Sequence, residues 1–306
     1  MNFFRRPNTS APRALNWFRG HMVPGQGIIV HTKQPVPYAE VTGYFVPTLY
    51  EWGETDLART CIRWLASIQL AEGAFPAPDG VPYSFDTAQV IRGLCAAVEH
   101  GEDVRAPLHK ACEWLASRVD DEGRITTPST ALWGDIASDL IHSYAIHPLL
   151  HGGRLLGEHR HVEAARRAQA YYTAQAALVP FNRLTHFHAY AMEALWELGE
   201  DALVRRGMAE VADKQRSDGA IPAYPDVDWV CSTGMAQYAV VWYRLGERMR
   251  ADKAMRYLEG LQNKSGGFYG SYGPGAKYIA GAEISWAVKY FLDAHRLRTQ
   301  EIALHA

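Results

Sequence analysis

One short phrase punctuates this chain: Gln69-Leu-Ala-Glu-Gly73-Ala-Phe75, Gln215-Arg-Ser-Asp-Gly219-Ala-Ile221 and Gln262-Asn-Lys-Ser-Gly266-Gly-Phe268, with Asp121-Glu122-Gly123 as a partial copy. A second mark, Gly-Glu, stands at Gly53-Glu54, Gly101-Glu102, Gly157-Glu158, Gly199-Glu200 and Gly246-Glu247. Glycine just past a helix end supplies the left-handed residue that closes it. Between the marks, two kinds of helical pattern alternate. Residues 41–52, 84–98, 138–150, 186–198, 231–245 and 281–295 are apolar nearly all round, whereas 55–70, 103–118, 159–175, 201–215 and 248–262 carry charge on one face. Helices apolar on every side belong inside and striped ones outside.

Each repeat is therefore a helical hairpin, with a period of roughly 42 to 56 residues. A short turn leads from inner to outer helix and a longer loop to the next inner helix, which makes the inner helices parallel. Six of them suffice to close a ring rather than an open solenoid. The fold expected is all-α, an α/α toroid close to (α/α)6, forming a single domain over residues 40–306. Residues 1–39, rich in Pro and Gly, read as an irregular arm with a short strand at Ile28-Ile29-Val30. A helix over Pro12–Phe18 is the candidate for the sixth outer place.

Composition narrows the functional classes. A net charge of −2 and no basic stripe give no footprint for nucleic acid. Apolar runs are broken by charge well short of ~20 residues, so no membrane span is expected. The basic start, Met1 to Pro7, is not followed by an apolar signal core. Cys61, Cys95, Cys112 and Cys231 lie far apart and suit reduced core thiols, making the cytoplasm the default compartment.

In such a ring all inner N-termini open on one face, where a concave site is the default expectation. The candidates there are Glu40 and Tyr44, then Asp86 and Gln89, then Trp133, Asp135, Asp139, His142 and Tyr144. His186, His188 and Tyr190 begin the fourth inner helix. Trp229, Thr233 and Gln237 belong to the fifth, and Lys277, Tyr278, Glu283 and Trp286 to the sixth. Each has a plainer reading: Asp86 or Thr233 as an N-cap, a buried Tyr or Trp as core, a lone His as structural. Their recurrence at one end of the inner helices favours a site. His186 and Tyr190 share a helix face, whereas His188 points about 200° away, so one of the two histidines is structural. No thiolate cluster or H-E-x-x-H spacing suggests a metal, and no cofactor is implied.

The Gln-x-x-x-Gly-x-aromatic marks resemble the repeats of terpene cyclase and protein prenyltransferase toroids, but the cyclase Asp-x-Asp-Asp run is absent. From about residue 39 onward the chain more closely resembles the prenyltransferase-like toroid proteins of bacterial polysaccharide biosynthesis. The motifs are Glu40-Val-Thr-Gly-Tyr44, Phe85-Asp-Thr-Ala-Gln89, His142-Ser-Tyr144, His186-Phe-His-Ala-Tyr190, Thr233-Gly-Met-Ala-Gln237, Gly270-Ser-Tyr272 and Trp286-Ala-Val-Lys-Tyr-Phe291. Ala88 stands where that pattern has Gly, and His147 where it has Arg. The stretch Trp229–Ala239 is also similar to glucuronyl C5-epimerases, which, like toroidal uronate lyases, remove the proton beside a uronate carboxylate.

These resemblances imply an enzyme acting on a sugar or polysaccharide by proton abstraction at a uronic acid, an epimerase or a lyase. His142 or His188 is the expected base, Tyr144 or Tyr190 the acid, with His186 and Asp86 beside them. Lys277, Gln237 or helix N-termini would hold the carboxylate. The alternatives are a glycoside hydrolase using two of Glu40, Asp86, Asp135 and Glu283, an isoprenoid cyclase or prenyltransferase-like enzyme, and a non-catalytic glycan-binding protein.

Overall fold

A computed structural model describes residues 9–132 and 134–304. The inner helices are α2 (Ala39–Glu51), α4 (Ser84–Glu99), α6 (Asp135–Ile141) continued by α7 (Ile146–Leu156), α9 (Thr185–Glu197), α11 (Ser232–Arg244) and α13 (Ser285–Leu304). The outer helices are α1 (Ser10–Gly20), α3 (Thr55–Ile68), α5 (Arg105–Ala116), α8 (His159–Thr173), α10 (Asp201–Lys214) and α12 (Arg248–Leu261). Each inner element packs on the next, and α13 returns to α2, so the ring is closed. This is an α/α toroid. No helix among the described residues is long and apolar enough to cross a membrane.

The repeated phrase joins consecutive outer helices. Gln69 donates from Nε2 to its own Gly73 carbonyl and to the Pro107 carbonyl at 2.9 Å, while a Cβ on Gly73 would strike the Lys110 carbonyl. Gln215 and Gly219 repeat this against Arg250 and Lys253 of α12. Gln262 and Gly266 repeat it against Ser10 and Arg13. Helix α1 thus takes the place of the sixth outer helix.

At Gly266 the backbone is left-handed, with φ of 100°, and no room is left for a methyl group. Gly266→Ala is expected to cost ~1–3 kcal/mol. Gly260→Ala, in open space on α12, is expected to be neutral or stabilising by up to ~1 kcal/mol. Thermal unfolding of the two variants checks the closure.

The third inner helix is broken. Pro148 has no N–H to return to the Tyr144 carbonyl, and its ring crowds that turn. Residues His142–Ala145 wind accordingly as a 3₁₀ turn between α6 and α7. Two small two-stranded sheets sit on the N-terminal face. Strand β1 (Ile29–His31) pairs with β2 (Gln34–Pro37), and β3 (Val230–Cys231) with β4 (Ser271–Tyr272), all antiparallel. All four cysteines are buried and free.

Candidate functional site

Counting from their first residues, five inner helices face the axis in register. Their second residues are Glu40, Phe85, His186, Thr233 and Trp286, and their sixth are Tyr44, Gln89, Tyr190, Gln237 and Tyr290. The ninth are Pro47, Arg92, Glu193, Val240 and Asp293, and the thirteenth Glu51, Ala96, Glu197, Arg244 and Leu297. Steps of four, three and four follow the helical period down one face. The axis is layered into a mouth, an aromatic waist and a charged lower end.

The mouth has an acidic side and an aromatic side. Asp86 is fully buried; its Oδ2 accepts a 2.8 Å hydrogen bond from the Tyr38 hydroxyl, and its Oδ1 has no partner among the described residues. Burial pushes its pKa up to about 7, against the pull of the Tyr38 hydroxyl. Burial, followed by the neighbouring Asp86 charge, lifts Glu40 well above the usual carboxylate range. Both groups therefore favour holding a proton. Facing them, the His186 ring lies parallel to Trp286 at 6.5 Å and packs on Tyr190 at 4.6 Å and Tyr278 at 5.8 Å. Trp286 donates from Nε1 to the Tyr278 hydroxyl at 3.1 Å. Burial lowers His186 to about 4, leaving it neutral.

Below lies the waist. Tyr144 and Tyr190 meet at 5.0 Å, Tyr190 and Tyr290 at 6.2 Å, and Tyr44 and Tyr290 at 5.9 Å. The lower end is a cavity of about 250 Å³ lined by Arg92, Glu193, Glu197, Arg244, Lys289 and Asp293, among others. Arg92 grips Glu197 through two bonds of 2.6 and 2.9 Å and stacks over Tyr144, while Lys289 pairs with Asp293 at 2.9 Å. Burial alone would raise Glu197, but Arg92 overrides it and holds the carboxyl at about 2. The sequence pattern made these helices apolar nearly all round, and the charges at their lower ends correct it: they are tolerated because they are paired, Arg92 with Glu197 on another helix and Lys289 with Asp293 one turn along its own.

Several expected site residues lie elsewhere. His188 is structural, with Nδ1 on the Tyr238 hydroxyl at 2.7 Å and Nε2 on the Val179 carbonyl at 2.8 Å. His142, lowered to about 4 by burial, lies beside Ile125, Asp139 and Arg124 rather than with Tyr144 on the axis. The expected His142–Tyr144 base and acid are therefore not brought together, because residues two apart point to different sides of a helical turn.

Glu283 is tied up by Trp17 Nε1 at 2.6 Å, Asn263 Nδ2 at 2.8 Å and Ser265. It braces α1 and is not available as a catalytic acid. Asp135 is exposed, beside a separate cavity shared with Arg124, Tyr172 and Arg183, which takes it out of the carboxyl pair. Trp229 is buried against Tyr224 behind the rim. Gln89 lies at the waist, 3.4 Å from Arg92 Nε. Lys277 is exposed on the rim loop next to Tyr278. Trp133 falls outside the described residues.

With this geometry in view, known proteins give a consistent picture. No protein-family model matches the chain, and no curated protein matches it. Solved structures do. A heparin-specific unsaturated glucuronyl hydrolase superposes with a TM-score of 0.71 at 13% identity, covering 96% of this chain and 97% of its own. A polysaccharide lyase reaches 0.67 at 12% identity, covering 96% and 98%. A type II terpene cyclase from Scytonema, solved with geranylgeranyl dihydroxybenzoate, reaches 0.65 at 11% identity, covering 95% and 97%. The toroid is shared. At these identities the likeness establishes the fold and leaves the chemistry to the site.

Sequence reasoning missed Tyr38, Arg92, Glu193, Glu197 and Lys289. A signal for most of them existed. Glu193 lies seven residues past His186, two turns down the same face, and Arg92 and Lys289 interrupt otherwise apolar helices. For Tyr38 the signal is weaker: a tyrosine also precedes α4, at Tyr83.

Proposed function

We propose that the chain is a carbohydrate-active enzyme that moves a proton on a uronic-acid-containing saccharide at the mouth of the toroid. The observation that carries this reading is Asp86, a buried carboxyl with one unpartnered oxygen and a pKa raised to about 7, across from an aromatic wall. A group so tuned can give or take a proton at neutral pH. Trp286, Tyr278 and His186 offer a stacking face for a sugar ring, and Lys277 at the rim supplies the cation for its carboxylate. His186 Nε2 carries no hydrogen bond among the described residues and takes the C5 proton. Asp86 returns one to C5 from the other side, or delivers it to the departing glycosidic oxygen as the C4–O bond breaks. Because Asp86 is fully buried, the side chains of the rim must part to admit the substrate.

A lyase and a glucuronyl hydrolase among the structural neighbours support the substrate class. The proximity of Glu40 and Asp86 favours a second reading, hydrolysis by paired carboxyl groups. An isoprenoid chain fits poorly above an axis occupied by Arg92, Glu193, Glu197 and Lys289.

The test is incubation with a panel of uronate oligosaccharides and neutral glycans. An inverted C5 centre or an unsaturated uronate end is expected. New reducing ends from neutral glycans, with neither of those products, would replace this reading by hydrolysis.

A further inference from the structure

We propose that Glu193, acting through Gln237, is a positioning residue that fixes His186 as the Nδ1-protonated tautomer and leaves Nε2 bare. The inference deepens the reading above and rests on it for its catalytic meaning. The three side chains form one buried line. His186 Nδ1 is 2.7 Å from Gln237 Oε1, and Gln237 Nε2 donates to Glu193 Oε1 at 2.9 Å. Glu193 Oε2 accepts from the Tyr144 hydroxyl at 3.2 Å, with Arg244 Nη1 3.8 Å away. All three members of the line are at most 3% exposed, so solvent does not compete for these bonds.

The chemistry of an amide makes this line directional. A carboxylate only accepts, so it faces the amide NH₂ of Gln237 and turns the amide oxygen toward His186. That oxygen also only accepts, so Nδ1 of the neutral imidazole must carry the hydrogen. Nε2, on the far edge of the ring, then presents a lone pair, the form a proton acceptor requires. Turning the amide over would set its oxygen against a carboxylate oxygen at hydrogen-bond distance. Reaching two turns down α9 and across to α11, the line uses the charged lower end of the axis to set a proton at the mouth.

Nitrogen NMR of the full chain, with labelled histidine, decides the matter. The His186 resonances are identified by their loss in His186→Gln. The expected result is the Nδ1-protonated tautomer in the wild type, shifting toward a mixture in Glu193→Gln and in Gln237→Met. Turnover of a uronate substrate by Glu193→Gln should fall about ten- to a hundredfold, with KM changed by less than about twofold. A wild-type His186 protonated on Nε2, or a tautomer unmoved in both variants, would overturn the proposal. The wild-type spectrum needs no substrate and no variant, so it stands if no uronate is turned over, and that outcome would count against the functional reading alone.

Discussion

Asp86→Asn is expected to lower kcat on a uronate substrate by about 10²–10⁴-fold while making the protein more stable at neutral pH. The two effects share one cause. In the fold, burial raises the Asp86 pKa to about 7, above its unfolded value of ~3.9. The protonated form is favoured by folding, so the stability this carboxyl contributes is fully present below about pH 4 and is lost as pH rises through about 7. Asparagine does not ionise and still accepts from the Tyr38 hydroxyl. Its advantage over the wild type should therefore grow by roughly 3–4 kcal/mol between about pH 4 and about pH 8. Denaturant unfolding across that range measures it. A variant that is inactive and equally destabilised at every pH would point to lost packing instead.

Arg92→Met should destabilise the chain by ~3–5 kcal/mol, because it strands the Glu197 carboxylate at the lower end of the axis. The pair is nearly dry, with the Arg92 and Glu197 side chains 15% and 6% exposed. Its pH signature is opposite to that of Asp86. The Glu197 pKa, held at about 2, lies below its unfolded value of ~4.3, so its contribution is present above about pH 4 and disappears as pH falls toward 2. The penalty for Arg92→Met should accordingly be largest near neutrality. Combining it with Glu197→Leu should recover most of the loss, since neither charge of the pair then remains. Urea unfolding of the single and double variants checks this, and a double variant as unstable as the single would contradict it.

The architecture was legible because hydrophobic pattern and turn chemistry act locally. The Gly-Glu marks lie where predicted, with φ between 74° and 83° at Gly53, Gly101, Gly157, Gly199 and Gly246. The Gln-Gly phrases mark where one outer helix meets the next. The site was legible only at the level of which helix ends hold it. Glu283 was drawn in because the sixth inner helix was expected from residue 281, but it begins at Ser285, which leaves Glu283 in a loop facing Trp17. His142 was misplaced because it and Tyr144 were read as one rim, although the helical period sets residues two apart on different sides. The same period separates His188 from His186 and Tyr190. The charges of the lower end were missed for another reason. A buried charge is tolerated through its partner, and the partners of Arg92 and Glu193 lie on helices far away in sequence.

Release of deuterium from a uronate oligosaccharide labelled at C5 tests the central claim most directly, because epimerase and lyase chemistry both break that bond. The wild type should release the label to water as product forms, and Asp86→Asn and His186→Gln should do so at least about a hundredfold more slowly. Product formed with the label retained at C5 would contradict proton transfer at this mouth.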